Sequence, residues 1–124
     1  MFKALFSPLL FASLVTSVYA EPVTAGKWRQ VEIDKISIGY GVQLTDVNGD
    51  GKPDIVLADQ KTFQWYENPS WTKHIIAENL TERDNVCITA RDINGDGKCE
   101  IAVGGQWNYR ESRKDGAVFY LIPP

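Results

Sequence analysis

The stretch Asp46-Val-Asn48-Gly-Asp50-Gly-Lys52-Pro-Asp54-Ile-Val returns 46 residues later as Asp92-Ile-Asn94-Gly-Asp96-Gly-Lys98-Cys-Glu100-Ile-Ala. A chain that repeats itself at a fixed period builds one structural unit more than once, so this repeat constrains the fold more than any other property of the sequence. The similarity extends beyond the acidic windows. Strand-like runs precede them (Val42–Thr45; Val86–Ala90) and follow them (Ile55–Ala58; Ile101–Gly104), and a further run matches Phe63–Glu67 with Ala117–Leu121. An outer run opening on tryptophan, Trp71–Ile76, has its counterpart upstream at Trp28–Ile33.

Short β-branched and aromatic runs separated by Gly, Asn, Asp and Pro clusters predict strands joined by tight loops. No stretch after residue 20 keeps a helical apolar period over three turns. A period of 40 to 50 residues with four short strands per unit predicts propeller blades. The expected fold class is therefore all-β, with tandem four-stranded antiparallel blades. About two blades fit, fewer than a closed propeller needs, so the sequence is expected to be a fragment or to assemble with further units. The expected divisions are 1–20 as a signal peptide, 21–39 as the outer strand of a preceding blade and its connection, 40–78 as the first blade, and 79–124 as a second, incomplete blade.

The first twenty residues carry Lys3, an apolar stretch from Ala4 to Val18 and the ending Val18-Tyr19-Ala20. That is the pattern of an export signal, which implies a secreted or periplasmic protein. A weak N-terminal anchor is the alternative, but Ser7, Pro8, Ser13, Thr16 and Ser17 interrupt the run and make a stable membrane span a poor reading. Cleavage after Ala20 leaves 104 residues with 12 basic and 16 acidic side chains, a net charge of −4. This is not the basic footprint of a nucleic-acid binder.

Six of the sixteen carboxylates fall within the two nine-residue windows. Oxygen-bearing side chains stand at positions 1, 3, 5 and 9 of each: Asp46, Asn48, Asp50 and Asp54, then Asp92, Asn94, Asp96 and Glu100. Alternating oxygen ligands in a tight loop suit a hard cation such as Ca²⁺. Position 7, Lys52 or Lys98, would supply its backbone carbonyl, and the neighbouring glycines permit the curvature. An EF-hand would need a glutamate at position 12 and flanking helices. Leu57 and Val103 stand at that position, between strand-like flanks. An Asn-Gly or Asp-Gly hairpin turn that binds nothing is the other alternative, although three carboxylates within nine residues would repel one another without a cation. Two Ca²⁺ would bring the net charge after cleavage from −4 to 0.

D-x-N-x-D-G-x-x-D between two strands, followed by Trp65-Tyr66-Glu67-Asn68, resembles the FG-GAP/VCBS repeat of integrin-alpha-type β-propellers, over residues 40 to 124. The resemblance implies one calcium per loop, held by Asp46, Asn48, Asp50, Asp54 and the Lys52 carbonyl, and by Asp92, Asn94, Asp96, Glu100 and the Lys98 carbonyl. It also implies a scaffold or recognition module, partnered by further blades or another protomer. Tyr40-Gly41 only approximates the Phe-Gly of that family, and Glu100 is one methylene longer than its usual Asp. Similar propellers occur in larger secreted lyases acting on sugars, such as aldos-2-ulose dehydratase-like proteins, so an N-terminal part of an enzyme is the alternative.

Loops 59–62, 105–116 and the connection 77–85 are expected at the end opposite the acidic loops. The long loop carries Trp107, Tyr109 and Arg110, which suit a sugar ring or an acidic ligand; a solvated insertion is the plainer reading. A protein ligand is a further possibility for such a surface. His74, the sole histidine, reads as a surface residue rather than a base, and no catalytic constellation is evident. Cys87 and Cys99 are expected as free thiols, because about 13–16 Å of strand separates Cys87 from the acidic loop, beyond the reach of a disulfide. Asn79-Leu80-Thr81 is a glycosylation sequon if the host uses one.

Overall fold

The computed structural model describes residues 26–111 and 113–124. The expected signal peptide at 1–20 therefore lies outside the described residues. Residues up to Gln30 and residues from Val31 onward form separate units. The described part of the first, 26–30, is exposed and without regular secondary structure.

The second unit is all-β among its described residues. Its strands are β1 (Gly41–Thr45), β2 (Asp54–Ala58), β3 (Thr62–Glu67), β4 (Thr72–Glu78), β5 (Cys87–Arg91), β6 (Glu100–Gly105) and β7 (Ala117–Leu121). They form one four-stranded sheet in the order β1-β2-β3-β4 and one three-stranded sheet in the order β5-β6-β7. Every pairing is antiparallel, and the sheets do not close on themselves. The equivalent registers, Leu44↔Ile55 in one sheet and Ala90↔Ile101 in the other, carry the sequence repeat into the structure.

Alternation along the strands sets the faces. Val56, Ala58 and Phe63 from the first sheet meet Ala90, Ile101 and Val103 from the second, with Cys99 at the margin. Burial of each large member contributes about 1.5–3 kcal/mol, and Phe63, fully buried, is the largest of them. The sheets come closest at their first strands. The Gln43 amide on β1 bonds to both backbone groups of Ala90 on β5, at 2.8 and 3.1 Å. A Cβ at Gly41 would stand 3.3 Å from the Cα of Cys87, a tight contact that glycine avoids. Farther out, β3 and β4 part from β7 around a wedge of about 770 Å³ bordered by Trp65, His74, Ile76, Ile101 and Leu121.

The strand expected at Trp28–Ile33 does not form; among the described residues, 26–40 carry no strand. A strand needs a partner edge, and side-chain anchors hold this segment instead. The Asp34 carboxylate accepts the Tyr66 hydroxyl at 2.8 Å and the Lys73 ammonium at 3.0 Å. Asp59 accepts the backbone N–H groups of Ser37, Ile38 and Gly39. Val31, Ile33 and Ile36 are thereby laid over Ile55, Leu57 and Tyr66 on the free face of the first sheet. Burial together with the Asp34 carboxylate pushes the Tyr66 hydroxyl up to about 12. Burial would raise the Asp59 carboxyl, but the backbone donors outweigh it and hold it below its ordinary range.

Candidate functional site

Antiparallel pairing sends the β1–β2 and β5–β6 connections to the same end of the two sheets, and these connections are the acidic loops. Both wind around the carboxylate at position 1. Asp46 accepts the N–H of Gly49 at 2.8 Å, Asp50 at 3.1 Å and Gly51 at 2.8 Å. Asp92 accepts those of Gly95 at 2.6 Å and Gly97 at 2.9 Å. Position 3 accepts the N–H of position 5 in each loop, from Asn48 and from Asn94. Position 5 accepts the N–H of position 7, from Asp50 and from Asp96. Position 9 reaches back to the N–H of position 2: Asp54 to Val47 and Glu100 to Ile93, both at 2.9 Å. Each side chain expected to ligate a cation thus accepts a backbone donor from the same relative place in both copies.

The glycines make that winding possible. Gly49, Gly51, Gly95 and Gly97 have φ of 78°, 84°, 84° and 88°, the left-handed region that other residues enter at a cost. Gly49 is constrained twice, because a Cβ there would run into the Gly97 carbonyl of the neighbouring loop. The two loops also meet through Cys99, whose thiol donates to the Asp46 carbonyl at 3.0 Å and whose N–H donates to the Val47 carbonyl at 3.2 Å.

Electrostatics differ between the copies. The Lys52 ammonium bonds Asp50 at 2.7 Å and, with the Lys52 N–H, holds that carboxyl below its ordinary value. The Asp92 carboxyl is lowered by the N–H groups of Gly97 and Gly95. Lys98 leaves its loop and donates to the Pro124 carbonyl.

A hard divalent cation fits these loops in donor chemistry: oxygens alone, on alternate residues, with carboxylates in the majority. Their oxygens turn toward backbone N–H groups. Among the described residues no group of three or more His, Cys, Asp and Glu side chains converges as a metal would require.

The opposite end holds the connections after β2, β4 and β6. There Tyr40 donates its hydroxyl to Asp84 at 2.9 Å, and Trp107 pairs with Asp84 through an isolated backbone bridge. Sequence reasoning passed over Asp84 and Asp34; neither stands in a repeated motif, and only the folded chain brings them to Tyr40 and Tyr66. His74 is half-exposed, stacks on Trp65 at 4.3 Å and bonds Glu67 at 2.9 Å. Cys87 and Cys99 are free, one exposed and one buried. The sequon residue Asn79 is exposed at the end of β4. Among the described residues no helix is long and apolar enough to cross a membrane.

A protein-family model described as an FG-GAP-like repeat matches residues 46–103, from the first acidic loop through the second and into β6. The segment is consistent with an FG-GAP-like repeat. The FG-GAP-like match contains every residue expected to bind a cation. No curated protein and no solved structure matches the chain.

Proposed function

We propose that this chain is an exported repeat module of β-propeller type whose two acidic loops each take one Ca²⁺. Asp46, Asn48, Asp50, Asp54 and the Lys52 carbonyl would hold the first ion. Asp92, Asn94, Asp96, Glu100 and the Lys98 carbonyl would hold the second. The observation that carries this reading is the shared hydrogen-bond pattern of the two loops, which fixes oxygen donors at the same four positions twice over. A bound cation would relieve the repulsion among three carboxylates and cross-brace two loops that already touch at Gly49 and Gly97.

The propeller reading is supported by the radial arrangement of the sheets, close at β1 and β5 and splayed toward β4 and β7. Val42 and Leu44 on one outer face, and Val118 and Tyr120 on the other, are exposed. Further blades of the same protein or another protomer would cover them. The module then serves as a scaffold or a recognition surface.

Calorimetric titration with Ca²⁺, paired with thermal melts in calcium and in chelator, tests the cation. At ten times its dissociation constant each ion adds about 1.4 kcal/mol, which raises the melting temperature by several degrees in a domain of this size. The absence of both a heat of binding and a shift in melting, or Asp50→Ala and Asp96→Ala titrating like the wild type, would overturn the reading.

A further inference from the structure

At the end of the sheets away from the acidic loops, three aromatic rings stand in file. Tyr40 meets Trp107 edge-on with centroids 5.9 Å apart, and Trp107 lies 6.4 Å from Tyr109. The Arg110 guanidinium sits 5.2 Å over the Tyr109 ring and donates through Nε to the Tyr109 hydroxyl at 2.7 Å. Trp107 is 41% exposed and Tyr109 68% exposed, yet the base of this shelf is pinned. The Trp107 N–H donates to the Asp84 carbonyl. The Asp84 carboxylate is held by the Tyr40 hydroxyl and the Gln60 amide. Beneath it, buried Asn85 donates to the Asp59 carbonyl and accepts from the Thr81 hydroxyl.

Beside the shelf lies a recess of about 470 Å³ lined by Lys61, Asn79, Leu80, Thr81, Glu82 and Gln106. Two of these, Asn79 and Gln106, are non-glycine residues with left-handed backbone, φ 48° and 70°. Such conformations are held only where the surroundings over-determine them, and they gather at ligand sites. At Gln106 the left-handed turn falls at the end of β6, just before Trp107 leaves the sheet.

We propose that Trp107, Tyr109 and Arg110, with Asp84 and the adjoining recess, form a binding site for a pyranose ring of a glycan. An exposed aromatic face takes the C–H face of a pyranose, and Trp and Tyr present it with little rotamer entropy to lose. Carboxylate, amide and guanidinium groups offer planar pairs of donors and acceptors that match adjacent hydroxyls. A recess walled by Lys, Asn, Thr, Glu and Gln side chains lets a hydroxylated ligand exchange its water hydrogen bonds for protein ones, which an apolar ligand cannot do. The site is separate from the acidic loops and does not depend on calcium.

Saturation-transfer NMR and calorimetry on the full chain, with cellopentaose, xylopentaose and tri-galacturonate as probes, test the proposal. Binding of at least one probe at millimolar concentration is expected, unchanged by EDTA at a temperature where the chain stays folded. Tyr109→Ala, which removes an exposed ring, weakens it about 10-fold, the loss of one stacked partner. Trp107→Ala abolishes the signal while the circular dichroism of the sheets persists. The proposal is overturned if none of the three glycans binds, or if both variants bind as the wild type does. Binding of an aromatic peptide at the same rings without any glycan would likewise overturn it.

Discussion

Repeated sequence does not guarantee repeated surroundings, and the two acidic loops show how the same motif is held in two ways. In the first, Asp54 is fully buried and divides its oxygens between the Val47 N–H inside the loop and the Asn68 N–H beyond β3. It ties the loop to the turn that leads into β4. In the second, Glu100 places one oxygen on Ile93 N–H and the other on the Asn94 side-chain amide, at 2.6 Å. Among the described residues its hydrogen bonds stay inside its own loop. The extra methylene folds the carboxylate inward, and the end of β7 is left without the anchor that Asp54 gives β3. Through position 9, the first loop is thus a joint between strands, whereas the second closes on itself.

That contrast predicts unequal costs. Asp54→Ala removes two backbone-bonded carboxylate contacts at a fully buried side chain and leaves two part-buried donors without acceptors, a loss of about 3–5 kcal/mol. Glu100→Ala forfeits one backbone donor and one side-chain donor, about 1–2 kcal/mol. Urea denaturation of both variants measures the gap. Equal losses would show that the tie to Asn68 carries no weight.

The next contrast is between glycines at the same repeat position. Gly49 and Gly95 both have positive φ, but only Gly49 faces backbone, the Gly97 carbonyl, within reach of a Cβ. Gly95→Ala should cost about 1–2 kcal/mol from left-handed strain alone. Gly49→Ala should cost roughly 1–3 kcal/mol more, because the loops must move apart to admit a methyl group. The same denaturation assay decides it, and equal effects would mean that the loops separate freely.

How much of this was legible beforehand follows from what is local. The seven strands and their end-to-end arrangement were readable because period-two runs and Asn/Gly turns are short-range signals. The free thiols were readable from strand length. The contact of Gly49 with Gly97, the Gln43 bonds to Ala90 and the Tyr40–Asp84–Trp107 cluster join residues 23 to 67 positions apart, and no spacing rule reaches them. Trp28–Ile33 was misread because its resemblance to Trp71–Ile76 carries a side-chain pattern but not the β3 edge on which β4 depends. The oxygen-bearing loop positions were legible as residue types. Their backbone bonds were not, because a carboxylate in sequence does not say which donor it will meet.

Lysine placement sharpens the comparison further. Lys52 neutralises Asp50 in the first loop, whereas Lys98 reaches away to Pro124. If each loop takes a calcium ion, the first must part an ion pair to free Asp50. Lys52→Ala keeps the backbone carbonyl and should tighten the first site about 3-fold, the scale of one exposed ion pair. Lys98→Ala should leave the second site unchanged. Calorimetry on the two variants distinguishes them, and a matched response would remove the asymmetry.

The smallest expected effect separates the causes of the two lowered carboxyls. Asp50 lies below its ordinary value of 3.8 chiefly through the Lys52 ammonium, and Asp92 chiefly through the Gly97 and Gly95 N–H groups. In both cases the folded carboxyl titrates lower than the unfolded one. The stabilisation is therefore complete above pH 3.8 and is lost as the pH falls through the lower folded values. Salt separates the two. At about 1 M ionic strength the Debye length is about 3 Å, so the exposed Lys52 contact weakens while the backbone donors, fixed by the winding of the loop, stay in place. Carboxyl-carbon NMR titration in low and high salt should move the Asp50 midpoint up toward 3.8 and leave Asp92 nearly where it was. Equal movement of the two would mean that both loops hold their carboxylates by the same screened charges, and that the hydrogen-bonded ring around Asp92 does not form in solution.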